Sequence, residues 1–266
     1  MSDSTQFTRL ADLTSHAFAT AAKVSPVILL PLGSHEDHGP HQPMGDYVLA
    51  DSIAARIASR ATATGTPAFV APALPYGVAD YFGGSPGGLA LSAETFRCVL
   101  QDVLDGLLRH DLRKIIILNA HGGNLPVIHE VTLGIKRCGG PVIPSFYLWK
   151  IARQLMEARI GPASGRFGHG AEPLLSLNLA LRPDCIAAAG GALPPPATLL
   201  GLPVSGFGTL DFEGLTVEAP VEFGETPQDA IATAWESGSA ALGLEMAEAL
   251  VQAGAAFVAH FSAHSG

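Results

Sequence analysis

Short continuous apolar runs alternate along this chain with longer stretches whose apolar positions recur at helical spacing. VILLPL (27–32) reads as a strand and LADSIAARIASRATA (49–63) as an amphipathic helix. AFVAPALP (68–75) is a second strand, and AETFRCVLQDVLDGLLRHD (93–111) a long helix with Ser92 as its N-cap. KIIILNA (114–120) is a third strand, followed by a helix over LPVIHEVTLGIKRCG (125–139) that ends at Gly139. PVIPSFYLW (141–149) reads as a fourth strand, and EPLLSLNLALRP (172–183) as a helix with Pro173 in its first turn. The tail from Pro227 to Gly254 returns to helix. This alternation predicts an α/β fold with a mainly parallel sheet. Unbroken apolar strands such as KIIIL fit a sheet covered by helices on both faces. Residues 188–224 break the rhythm. AAGGALPPPATLLGLP is rich in proline and glycine, and GFGTLDFEGLTVEAPVEFGE has the pattern of a hairpin. We read the region as an insertion or edge element within a single domain spanning 1–266.

Composition narrows the function. Lys and Arg total 15 against 24 Asp and Glu, a formal net charge of −9, and no basic run occurs. That argues against a nucleic-acid partner, which needs clustered positive charge. The most apolar long segment, ALGLEMAEALVQAGAAFVAHF, carries two Glu, a Gln and a His, so it is not read as a membrane span. The N-terminal MSDSTQFTRLADLTSHAF lacks the apolar core of a signal peptide. Cys98, Cys138 and Cys185 show neither disulfide nor zinc spacing, and Cys98 and Cys138 read as packed thiols. These features predict a soluble cytoplasmic protein.

The chemistry concentrates in three polar loops. The first strand runs into GSHEDHGPHQPMGD (33–46), whose glycines and prolines exclude a regular helix. The third runs into NAHGGN (119–124), and GHGAEP (168–173) precedes the next helix. Open α/β sheets bind ligands at the carboxyl ends of their strands, where all three loops are predicted to lie. Glu36 and His38, two apart, would point the same way in extended backbone. Asp46 returns from the far end of the loop, His121 sits in a glycine-rich turn, and Glu172 stands at a helix start. Such oxygen and nitrogen donors suit Zn²⁺, Mn²⁺ or Fe²⁺. Two ions sharing a carboxylate and a hydroxide make a hydrolytic site. Asp46 also fits an N-cap for the following helix, and His41 either a ligand or a hydrogen-bond donor to one. Asp37 and His35 are expected to face away. Asn119 and Asn124 are expected to brace their loop, and His16, His110, His129, His260 and His264 read as surface or packing residues.

The order GSxExHGPH…D, NxHGGN and HGAE resembles the creatininase family of metal-dependent amidohydrolases. LPYGVADYFGGSPGGLALSAETF (74–96) and ETPQDAIATAWESG (225–238) extend the resemblance over most of the chain. It implies a doubly wound α/β fold, two divalent ions per chain, a homo-oligomer such as a ring-shaped hexamer, and hydrolysis of a small cyclic amide or another small C–N bond. By position it implies Glu36, His38, Asp46 and His121 as ligands, with Asp46 bridging. Three departures stand out. Gly45 and Asp46 are adjacent where the family commonly has one more residue between them. Gly122 and Gly123 occupy the positions that hold an aromatic residue and a metal-binding glutamate in creatininases proper, which argues against creatinine as the substrate. HAGExETS reads HGAEPLLS here, so Leu174 replaces the second glutamate.

These readings set expectations for the site. Glu172 replaces the lost carboxylate as a ligand, with proton transfer as its other role, and His169 is the general acid. Gly122 and Gly123 offer backbone amides to the substrate, and Tyr81, Phe82 and Ser85 line the pocket. The same ions would equally serve a formamide deformylase, a peptidase of a modified peptide or a ring-opening hydrolase of a cyclic ketone. A metal-binding protein without turnover is the alternative outside enzymes.

Overall fold

The computed structural model describes residues 8–162, 166–187 and 197–265. Four parallel strands form the central sheet: β1 (Val27–Leu32), β2 (Ala68–Val70), β3 (Ile115–Asn119) and β4 (Ser145–Tyr147), in the order β2-β1-β3-β4. Every residue of β1 and β3 is buried, and alternate side chains feed opposite faces. Val27, Leu29, Ile116 and Leu118 pack into one cluster with helices α2 (Tyr47–Ala63), α5 (Leu148–Ile160), α6 (Leu174–Leu181) and α8 (Ala240–His264). Ile28, Leu30, Ile115 and Ile117 pack on the other face against α3 (Ala93–Arg109) and α4 (Leu125–Arg137). Burying each such side chain contributes about 1.5–3 kcal/mol. The fold is therefore doubly wound α/β, as expected.

The helices follow the sequence closely. Ser92 caps α3, accepting from the Thr95 amide at 3.1 Å. α8 is long and apolar enough to cross a membrane, yet Gly243, Met246, Leu250, Val251 and Val258 are buried along its length, and it packs on α2, α5 and α6. Two short helices complete the set: α1 (Ser15–Ala21), which the sequence pattern did not announce, and α7 (Asp229–Ser237). The larger difference is α5. PVIPSFYLW was expected to be strand to residue 149, but β4 ends at Tyr147 and the helix begins at once with Leu148, which buries Leu148, Ala152 and Met156 at helical spacing. Cys98 and Cys138 are exposed rather than packed. Cys98 lies on the side of α3 opposite its buried stripe of Phe96, Leu100 and Leu104.

Residues 188–196 of the expected insertion lie outside the described residues. From Thr198 it forms a four-stranded antiparallel sheet: β5 (Thr198–Leu199), β6 (Leu202–Gly206), β7 (Thr209–Phe212) and β8 (Leu215–Glu218). Glu213 and Gly214 turn β7 into β8 with positive φ at both residues, the two-residue turn that matches strand twist. Phe207, between β6 and β7, reaches back to the carboxyl edge of the parallel sheet, with its ring 5.4 Å from that of His169.

Candidate functional site

The strand order reverses between β1 and β3, and in open α/β sheets the crevice at that reversal is the usual binding place. Leu32 pairs with Asn119, so the loops that follow leave the sheet side by side. The first loop doubles back through a 3.0 Å bond from the Glu36 amide to the Met44 carbonyl. The Ser34 amide then holds Asp46 Oδ1 at 2.6 Å. Gly33 permits this approach, because a Cβ there would stand 2.3 Å from that oxygen. Asp46 occupies the N-cap position of α2, but its side chain makes no cap bond there and turns to the Ser34 amide instead. Asn119 and Asn124 brace the loops as expected. Asn119 bonds the backbone of His121 in both directions, and Asn124 holds the Gly33 carbonyl, the Val78 amide and Asn119.

Three histidines converge on one carboxylate. Glu36 Oε2 lies 2.8 Å from His121 Nδ1, while Oε1 lies 3.3 Å from His38 Nε2 and 3.8 Å from His169 Nδ1. Each ring commits its other nitrogen to a backbone carbonyl: His38 Nδ1 to Pro43 at 3.1 Å, His121 Nε2 to Val78 at 2.8 Å, and His169 Nε2 to Asp37. Asp46 Oδ2 is buried without a partner among the described residues. Among those residues two groups of donor atoms lie within 4.8 Å of one another, Glu36–Asp46–His121 and Glu36–His38–His169. The residue common to both is Glu36, where the sequence pointed to Asp46.

The burial of these groups sets their proton affinities. Burial alone would raise the Glu36 carboxyl, but hydrogen bonds from His121 and His38 hold it well below the usual range. Asp46 is pushed up to about 7 by burial and by repulsion from Glu36. Burial works against a charged His121, yet Glu36 lifts it to about 9. His38 is raised for the same reason against the same penalty. His169 is driven down to about 4 by burial and by the neighbouring His38, so it is neutral at neutral pH. Tyr147 is pushed up to about 12 by burial and by the Asp46 and Glu36 charges.

The other expected residues fall into distinct places. Glu172 is buried, but its oxygens accept from Ser176 Oγ at 2.6 Å and the Ser176 amide at 3.2 Å, with Arg166 Nη2 at 3.5 Å. It is in neither donor group. His41 stacks on Trp235 at 4.2 Å, outside both groups. Asp37 bonds the Gly39 amide within its own turn. Gly122, Gly123 and half-exposed Tyr81 line a cleft of about 760 Å³ over the cluster, but Ser85 is not among its lining residues. Aromatic rings cover His169: Phe82 stacks at 4.7 Å, and Phe223 meets it edge-on at 5.0 Å.

Gly123 leaves no room for the missing ligand. A Cβ there would stand 2.1 Å from the Val78 carbonyl oxygen and 2.5 Å from His121 Nε2, the pair that orients this imidazole. Gly123→Ala should therefore destabilise the protein by about 1–3 kcal/mol. A thermal melt should show a midpoint several degrees lower, and an unchanged midpoint would mean that this contact is soft.

The cleft also holds residues that the sequence did not single out: Tyr147, Trp149, Lys150, Arg153 and Phe207. An aromatic residue at the end of a parallel strand was the available signal for Tyr147. Phe207 had none, because its approach depends on how the second sheet folds back.

The fold and this cluster define a class: an α/β protein whose switch-point crevice holds carboxylate and imidazole donors of the type that bind divalent cations. The chain belongs to the creatininase family. The family model described as creatinine amidohydrolase matches residues 11–258, so the protein is a hydrolase of that family. The creatinine amidohydrolase of Pseudomonas putida is 29% identical over 188 residues, 65% of this chain and 70% of that one. The 3-dehydro-scyllo-inosose hydrolase of Thermotoga maritima is 31% identical over 61% of this chain and 52% of its own. The mycofactocin precursor peptide peptidase of Mycobacterium tuberculosis is 28% identical over 49% and 54%. A crystal structure of creatinine amidohydrolase superposes with a TM-score of 0.74 at 25% identity, covering 96% of this chain and 98% of that one. Structures of creatininase in a manganese form and in a Zn-Zn form share the fold, each with a TM-score of 0.72 at 24% identity.

Proposed function

We propose that this hydrolase cleaves a small cyclic amide or another non-peptide C–N bond at a centre of two divalent ions, Zn²⁺ or Mn²⁺. The observation that carries this reading is the shared arrangement of three histidines. Each gives one ring nitrogen to a backbone carbonyl and turns the other towards Glu36. Metal-binding histidines are oriented in this way, with the outer bond fixing the tautomer. The unpartnered Asp46 Oδ2 and the repulsion between Asp46 and Glu36 fit the same reading, since a cation would answer both. Glu36, Asp46 and His121 would hold one ion, and Glu36, His38 and His169 the other. Bound there, such ions lower the pKa of water to about 7 and polarise a carbonyl.

The chain's own residues supply the rest. Neutral His169 offers Nδ1 as a ligand, because its Nε2 is committed to Asp37. That reassigns it from the general acid expected on sequence. Glu172, neutralised by Arg166 and fixed by Ser176, shapes the loop that carries His169. Tyr147 has a hydroxyl facing the Gly122 side of the cleft. Its high pKa keeps it a hydrogen-bond donor for a developing oxyanion. Tyr147→Phe should lower kcat on the order of a hundredfold with metal content intact. Full activity in that variant would remove Tyr147 from the chemistry.

Metal content per chain, measured by elemental analysis without chelator, tests the assignment. Wild type and Glu172→Gln should each carry about two ions, and His169→Ala about one. Loss from Glu172→Gln with retention in His169→Ala would restore Glu172 as the ligand. No metal in wild type would overturn the dinuclear reading.

A further inference from the structure

The cleft has basic lining residues that the metal donors do not use. Lys150 and Arg153 stand one turn apart on α5 and both line it. Its other charged walls are Glu36, Asp80 and Glu172, with His38 and His121 bound up in the Glu36 cluster. Glu36 belongs to the donor groups, and Glu172 is answered by Arg166. Lys150 is exposed and has no carboxylate partner among the described residues. The Arg153 guanidinium lies over the Phe167 ring, 4.9 Å from its centroid, while its Nε bonds Glu157 Oε1 at 2.8 Å. Those two contacts leave its terminal nitrogens without a hydrogen-bond partner among the described residues. Phe167 is two residues before His169 and bridges to Glu172, so Arg153 rests on the segment that brings His169 to the cluster. A guanidinium and an ammonium one helical turn apart on the same cleft wall suit recognition of a carboxylate. The cleft, at about 760 Å³, is also in the range that holds drug-sized ligands.

We infer that Lys150 and Arg153 form a carboxylate subsite, and that the substrate is an amide bearing a carboxylate at its non-reacting end. The inference rests on the hydrolase reading of the same cleft. Asp80 sits on a different segment of the wall, Asp80–Phe82, and disfavours an anion there, so the carboxylate would lie on the α5 side. An aromatic wall of Tyr81, Phe82 and Trp149 leaves the middle of the ligand apolar or planar.

The test uses zinc- or manganese-loaded protein with 5-oxoproline and N-acetylglycine, each against its methyl ester. Calorimetry gives binding, and chromatography follows amide cleavage. Wild type should bind each acid at least about tenfold more tightly than its ester, the range of a charge-assisted hydrogen bond. Lys150→Gln and Arg153→Gln should each cut that ratio about fivefold, and the double variant should bring it near one. Lys150→Gln is the cleaner variant, since no described contact is lost with it. An acid that merely coordinates the ions would keep its preference in every variant, and that result overturns the subsite. So does equal binding of acid and ester by wild type, or no binding of either. The two readings separate cleanly. Cleavage with an unchanged ratio removes the subsite and keeps the hydrolase. A ratio that collapses in the variants, without cleavage of either amide, keeps the subsite and removes the amide reading.

Discussion

Glu36→Gln should strip the protein of both metals and of hydrolysis together. Glu36 is the residue common to the two donor groups, with one oxygen facing His121 and the other facing His38 and His169. Its side chain is 3% exposed, so no water replaces it as a ligand at low cost. Glutamine keeps the shape and one carbonyl oxygen but removes the charge that offsets two cations. The expected loss in kcat/KM is at least about a thousandfold, the scale of several kcal/mol of charge stabilisation. Asp46→Asn touches one donor group only and should leave about one ion bound. Elemental analysis of the two variants side by side decides between the shared carboxylates. If Asp46→Asn loses both ions and Glu36→Gln keeps them, Asp46 is the bridge and the geometric assignment fails. Circular dichroism on both proteins separates metal loss from unfolding.

Metal uptake should strengthen by at least about a hundredfold between about pH 6 and pH 8. The sign follows from Asp46 and His121, with His38 raised in the same direction. Burial and the repulsion of Glu36 raise Asp46 to about 7, so below that pH it holds a proton that an ion must displace. Burial opposes a charged His121, but its bond to Glu36 lifts it to about 9, so it too carries a proton across this window. Each group weakens binding about tenfold for every pH unit below its own pKa. His169, held near 4, is already deprotonated and adds nothing to the slope. Titration calorimetry in buffers of different ionisation enthalpy should count more than one proton released per chain. A flat affinity with no proton release would mean that Asp46 and His121 are not both ligands.

The parallel sheet and its main helices were legible in the sequence because their signals are local. Buried strands such as IIILN need no partner to look apolar, and Ser92 marks the start of α3 by its own chemistry. The helix α5 was not legible, since Tyr147 closes β4 and Leu148 opens the helix with no turn residue between them. The donor loops were legible for a similar reason to the strands: Glu36, His38, Asp46 and His121 stand in glycine-rich stretches that follow buried strands, and the fold gathers them, whereas only the folded loop shows that Asp37 and His41 turn elsewhere. Sorting His169 from Glu172 was beyond the sequence. Their roles turn on Arg166 and Ser176 meeting the Glu172 carboxylate and on the Asp37 carbonyl meeting the His169 ring, and no spacing rule encodes those approaches. The aromatic roof was hidden likewise, because Phe207 comes from a separate sheet.

The crowding at Gly123 constrains how this enzyme can acquire or lose substrates over generations. The Val78 carbonyl fills the room that a side chain at 123 would need and at the same time orients His121. A mutant with glutamate at 123 alone would thus meet a clash before it gained any ligand. The segment around Val78 has to retreat first, and that retreat by itself loosens His121. Both single steps are losses, so a crossing between this arrangement and one with a ligand at 123 demands paired changes.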